Sequence, residues 1–206
     1  MSLRLDLPRL ATAILLIGIF AMAVRVPASP DMWWHLRCGQ VQWRTRAVLK
    51  TETFSHTAPG APWIDQSWLP QLGMAGLYRL GGFPALALAV GAGVAVAYGL
   101  LLPAARPRDG SSAWWAPYWR AFVLLWAAIA SGPTWAARPH LLTLLLTSAW
   151  VLLLARWRAN GYRPRDLLGL PPLMLLWANS HGGYIVGLLL LLLEAGGLAL
   201  DGAVGR

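Results

Sequence analysis

Cysteine is nearly absent. Cys38 stands alone among 206 residues, so no disulfide can close within the chain and a cluster of thiolate metal ligands is excluded. Charge is also scarce: Asp, Glu, Lys and Arg make up 12% of the chain, against roughly a quarter of an ordinary soluble domain. Hydrocarbon fills the gap, at 57% of residues. Apolar runs near the length that crosses about 30 Å of membrane interior recur along the sequence. They are too continuous for the alternating pattern of a barrel, so the spanning elements must be helices. The 8 acids against 17 Lys and Arg leave a formal charge of +9. These basic residues stand singly or in pairs at the ends of apolar runs, as topology determinants do, rather than in a stripe that would follow a phosphate backbone. No nucleic-acid partner is expected.

Arg4 and Arg9 open the chain, an apolar run follows, and Val26-Pro27-Ala28 has the small residues of a signal-peptide cleavage site. Because more runs of spanning length come later, residues 1–26 are read as a retained first membrane helix rather than a removable leader. Residues 27–82 form a polar outer loop. Within it, 31–46 has no helix breaker but Gly39, and 65–80 carries Trp68, Leu72, Ala75 and Leu80 on one face; both are expected as helices lying in the membrane interface. Gly81-Gly82 stops the second of them. Residues 83–206 then hold five further spans, over 83–103, 118–132, 141–157, 167–179 and 182–200. The expected fold is all-α: a polytopic transmembrane helical bundle of about six spans in a single domain, 1–206, either whole or the N-terminal part of a longer protein.

Arginine placement orients this bundle. Short connections assigned to the inside carry Arg106, Arg108, Arg156, Arg158, Arg163 and Arg165, while the short outer ones carry Arg138, which puts the N-terminus in the cytoplasm. The abundance of Ala, Gly, Pro and Arg is that of a GC-rich bacterial genome, so the cytoplasmic (inner) membrane is the expected location. With this topology Asp31, His35, Asp65, Arg138, His140, Asn179 and His181 all fall at helix ends on the outer face. Taken singly, each is an ordinary capping or snorkelling group, and the tryptophans beside Asp31 are an ordinary interfacial belt. Taken together, three of the 4 histidines and an arginine set among Ala136, Ala137 and Pro139 point to a common site that holds an anion.

The residues that carry a resemblance are Asp31-Met32-Trp33-Trp34-His35, Thr53-Phe54-Ser55-His56-Thr57, Trp63-Ile64-Asp65-Gln66-Ser67-Trp68, Arg138-Pro139-His140 and Trp177-Ala178-Asn179-Ser180-His181-Gly182-Gly183. In this order, over most of the chain, they resemble bacterial polytopic proteins similar to the GT-C glycosyltransferases. That resemblance implies transfer of a sugar from a polyprenyl-phosphate carrier to an acceptor on the extracytoplasmic face, with the bilayer and the lipid-linked sugar as partners. It implies Asp31 as the catalytic base, and Arg138 with His140 or His181 on the leaving phosphate; His35 would orient Asp31 or touch the same phosphate. Asp65 and Asn179 are grouped with the substrate-binding residues. No cofactor is expected, and no metal, because Asp31 has no close acidic neighbour to share a divalent ion. The alternative is a non-catalytic membrane protein that binds a lipid phosphate or serves as an assembly partner. A haem or metal handler would use the same tryptophans and histidines, and the usual pointer to a transporter, charge in the middle of spans, is nearly missing, with Glu194 the only acid deep in an apolar run.

Overall fold

A computed structural model describes residues 6–25, 29–105 and 115–204. The chain is helical, with α1 over Leu7–Ala23, α2 over Pro30–Thr45, α3 over Trp68–Ala104, α4 over Ala116–Ser131, α5 over His140–Ala159, α6 over Leu170–Ala178 and α7 over Ile185–Val204. Short 3-10 turns at Gly132–Thr134, Pro164–Leu167 and Gly182–Tyr184 join the later helices. The Val26-Pro27-Ala28 triplet, Arg4 and the connection with Arg106, Arg108 and Asp109 lie outside the described residues.

Local chemistry sets most of the boundaries. Asp6 caps α1 by accepting the Arg9 backbone N–H at 3.0 Å, which satisfies a donor the helix cannot use itself. Pro30 opens α2 with Asp31 in the first turn, where a proline costs no hydrogen bond and a carboxylate meets the positive end of the helix dipole. Between Trp68 and Ala104 the helical geometry breaks at Gly81 and Gly82. Gly82 sits at φ 61°, ψ −147°, a region that side chains with a Cβ avoid. The expected stop is therefore a kink, with a first arm over 68–80 and a second that runs on to Ala104.

Among the described residues, three helical stretches are long and apolar enough to cross a membrane: Trp68–Ala104, His140–Ala159 and Gly182–Ala203. By this measure the chain is a membrane protein. The expected count of six spans is not reached among the described residues. α1 is apolar but only 17 residues long, and α4 has 16. The fifth expected span, over 167–179, is the 3-10 turn at Pro164–Leu167 followed by the 9 residues of α6. Nine residues rise about 14 Å, well short of the roughly 30 Å interior. Pro171 and Pro172 confine the helix: neither can donate a backbone hydrogen bond, so both fit only its first turn.

Two apolar clusters hold the helices together. Ile19 of α1, Met32 of α2, Val94 of α3 and Ala128 of α4 are completely buried in the first. The second gathers Trp150 of α5 and Trp177 of α6, whose rings meet edge-on at 6.1 Å. Outward faces stay apolar: Leu189, Leu192 and Leu193 of α7 and Trp119 and Trp126 of α4 are exposed, as side chains facing lipid would be.

Candidate functional site

Gly39 is where the site begins. A Cβ added there would lie 2.0 Å from the Gln71 carbonyl oxygen, so only glycine lets α2 cross the first arm of α3 this closely. At that crossing a buried polar network forms. Gln42 Nε2 donates to Asp65 Oδ2 and to Gln71 Oε1, both at 2.7 Å. Gln71 Nε2 donates to Asp65 Oδ1 at 2.9 Å and to His35 Nδ1 at 3.3 Å, and the Ser67 N–H also donates to Asp65. With Nδ1 accepting, the proton of a neutral His35 ring sits on Nε2.

Asp31, one turn before His35, reaches across to the segment that precedes α5. Its Oδ2 accepts a 2.5 Å hydrogen bond from Arg138 Nη1. The two side chains remain 53% and 31% exposed, so the pair is open to an incoming ligand. Arg138 Nε is buried and has no partner among the described residues. His140 donates from Nε2 to the Thr134 carbonyl at 2.6 Å. Its ring lies 6.4 Å from that of His181. His181 Nδ1 accepts from the Gly183 N–H at 3.1 Å and pairs with the Thr143 hydroxyl at 2.9 Å, and Trp177 Nε1 donates to that same hydroxyl at 3.1 Å. This chain fixes the His181 tautomer. Its Nε2–H has no protein partner among the described residues and is available to an anion or a hydroxyl.

Burial is the largest influence on the histidine outside the spans that faces the ion pair. It pushes His35 down from its ordinary value to about 4, with Arg138, His181 and His140 acting in the same direction and Asp31 opposing. The ring is neutral at neutral pH. Burial also holds His181 below its usual value. Arg138 is thus the cation of the cluster, between neutral imidazoles that donate or accept without repelling it.

The seven residues singled out in the sequence all lie at this end of the molecule, in different situations. Asp31 and Arg138 form the ion pair, with His35, His140 and His181 around it. Asp65 is 7% exposed and spends its oxygens on Gln42, Gln71 and Ser67; burial raises its pKa despite those bonds. It braces α2 against α3 and faces the network rather than the opening. Asn179 accepts from Trp68 Nε1 at 3.1 Å and donates to the Leu175 carbonyl, which fastens the end of α6 to the start of α3. Gln42, Gln71 and Thr143 were not singled out. A signal existed for Gln42: His35, Gly39 and Gln42 share one face of α2 by spacing, and an amide on a face that must pack is conspicuous.

Beside the pair, Met74 and Leu77 of the first α3 arm, Val90 and Gly93 of the second, and Leu141 and Leu145 of α5 line an apolar groove of about 280 Å³ that includes Arg138. Among the described residues no three His, Cys, Asp or Glu side chains converge in a way that could hold a metal ion, and Asp31 has a guanidinium where a divalent ion would need further oxygens. No family profile, curated protein or solved structure matches the chain.

Proposed function

We propose that the chain is a GT-C-like membrane glycosyltransferase, or part of one, which moves a sugar from a polyprenyl-phosphate carrier to an acceptor at the extracytoplasmic face of a bacterial cytoplasmic membrane, with its N-terminus in the cytoplasm. One observation carries the reading: Arg138 lines the apolar groove between α3 and α5 with its carbon stem, and its guanidinium is held by Asp31. A lipid phosphate needs those two environments side by side, hydrocarbon for the chain and a forked cation for the head. When the phosphate takes Arg138, Asp31 is released. The freed carboxylate accepts the proton of the acceptor hydroxyl as its oxygen forms a bond to the anomeric carbon. The bond from that carbon to the carrier phosphate breaks, and the electron pair leaves on phosphate oxygen, stabilised by Arg138 and the Nε2–H of His181. His35, neutral and tilted at 31° against Trp34 with ring centroids 3.8 Å apart, flanks Asp31 without competing for the phosphate.

The closed Asp31–Arg138 pair also favours a second reading, in which the protein binds a lipid phosphate without turnover. Sugar transfer from a polyprenyl-phosphate donor in membranes carrying wild-type or Asp31→Asn protein separates the two. The transferase reading requires turnover in the wild type and its loss in the variant at equal membrane insertion; equal transfer by both sinks it.

A further inference from the structure

A threonine inside a helix commonly returns its hydroxyl hydrogen to the carbonyl one turn back. Ser148 of α5 behaves in that way, donating to the Leu144 carbonyl at 2.9 Å. Thr143, on the same helix, is committed elsewhere. Its oxygen lies 2.9 Å from His181 Nδ1 and 3.1 Å from Trp177 Nε1, groups 38 and 34 positions further along the chain. Each hydrogen in this cluster has one place to be. An indole N–H can only donate, and Trp177 is fully buried, so the Thr143 oxygen accepts from it. The Gly183 backbone N–H can likewise only donate, and it is directed at His181 Nδ1 from 3.1 Å. Nδ1 therefore carries no hydrogen, and the Thr143 hydroxyl donates to it as well. The single proton of the neutral ring is left on Nε2. Gly183 makes the arrangement possible: a Cβ there would lie 2.4 Å from the Thr143 oxygen and 2.9 Å from Nδ1, so a side chain would push the hydroxyl off the ring.

We infer that Thr143, itself anchored by Trp177, is a positioning residue that holds the one ring proton of His181 on Nε2 and makes this histidine a hydrogen-bond donor rather than an acid. A histidine that gives up a proton as an acid must first carry hydrogens on both ring nitrogens. Here two donors already meet at Nδ1, and a hydrogen on that nitrogen would face both of them. What this means for the reaction rests on the transfer reading. As the phosphate leaves the sugar, His181 stabilises the developing charge through Nε2–H and keeps its proton, while the proton of the acceptor hydroxyl goes to Asp31. The tautomer itself needs no turnover.

Heteronuclear NMR of the full chain in detergent, with isotope-labelled histidine and the His181 signals assigned by their loss in His181→Gln, reads the tautomer directly. The wild type should show a single species with Nε2 protonated and Nδ1 bare; a hydrogen on Nδ1, or a mixture, overturns the inference. Thr143→Val keeps the shape and removes the hydroxyl, so one donor that opposes protonation at Nδ1 is gone. His181 should then bind its second proton about fivefold more tightly, the factor carried by an ordinary hydrogen bond. Thr143→Ser should titrate as the wild type does. His140 faces His181 and is present in all three proteins, so its influence cancels. A merely structural Thr143 would lower the thermal midpoint in Thr143→Val and leave the His181 titration where it was, which would overturn the inference, as would a Thr143→Ser that behaves like Thr143→Val. Should Thr143→Val fail to fold, Gly183→Ala displaces the same hydroxyl by another route and should move the titration in the same direction; no movement there is equally decisive against it. In a transfer assay Thr143→Val should lower kcat about fivefold with little change in KM, because the charge that His181 meets develops only in the transition state. Transfer absent from a wild type that shows the stated tautomer removes the transferase and leaves Thr143 in its role; transfer present with a hydrogen on Nδ1 does the reverse.

Discussion

Each end of the molecule holds an arginine against a carboxylate, and the two pairs behave as opposites. Asp31 and Arg138 are both partly exposed, flanked by neutral histidines and an apolar groove. At the other end Arg158 pairs with Glu194, whose side chain is only 8% exposed, beside a cavity of about 950 Å³ that Arg156, Gly197 and Asp201 also line. A buried carboxylate in an apolar helix must have a cation beside it, and Arg158 meets that need. Glu194 thus has a structural reason to be there. The first pair is open to solvent on both sides, whereas in the second only the guanidinium is.

Substitutions at the two acids should part most widely. If Asp31 is the base, Asp31→Asn lowers turnover about 10²-fold or more, while the affinity of the protein for a polyprenyl phosphate rises because Arg138 loses its competing anion. A transfer assay combined with a lipid-binding assay reads both effects, and a fall in both would mean that Asp31 only positions Arg138. Arg158→Ala leaves Glu194 buried and alone and should cost about 3 kcal/mol of stability, seen as a lower thermal midpoint in detergent. The double variant Arg158→Ala/Glu194→Gln should recover much of this, and failure to recover would mean that the pair is not what Glu194 depends on.

Two glycines sharpen the contrast between a tight end and an open one. Gly39→Ala drives a methyl into the Gln71 carbonyl and should cost about 1–3 kcal/mol as α2 is forced away, with disturbance of the His35 pairing. Gly197→Ala, in α7 beside the wide cavity, meets nothing within 4 Å and should be neutral or stabilising by about 0.5–1 kcal/mol through helix propensity. Thermal midpoints of the two variants should therefore move in opposite directions.

The last test concerns pH. His35 sits at about 4 in the folded protein against 6.5 when exposed, so between those values the unfolded chain binds a proton that the native chain does not. Stability is full above about pH 6.5, falls on acidification towards pH 4 and levels off below it. His35→Gln should flatten that slope in a thermal-midpoint series across the window.

The amino-acid sequence alone determined what depends on near neighbours: apolar runs that must be helical, a proline that opens α2, a glycine pair that breaks α3, and the polar residues that collect at the ends of runs. Composition also decided that hydrocarbon is the natural surround, since so little charge is available to solvate a surface. Span lengths were less legible, because Pro171 and Pro172 shorten α6 within a stretch that hydropathy alone reads as continuous. Tertiary structure decided who meets whom. Arg138 lies 107 positions from Asp31, Trp68 lies 111 from Asn179, and Asp65 turns inward to two amides that no local pattern ties to it. Periodicity states which face of a helix is buried, while the partner of that face depends on how helices far apart in the chain pack, and here on the absence of a single side-chain carbon at Gly39.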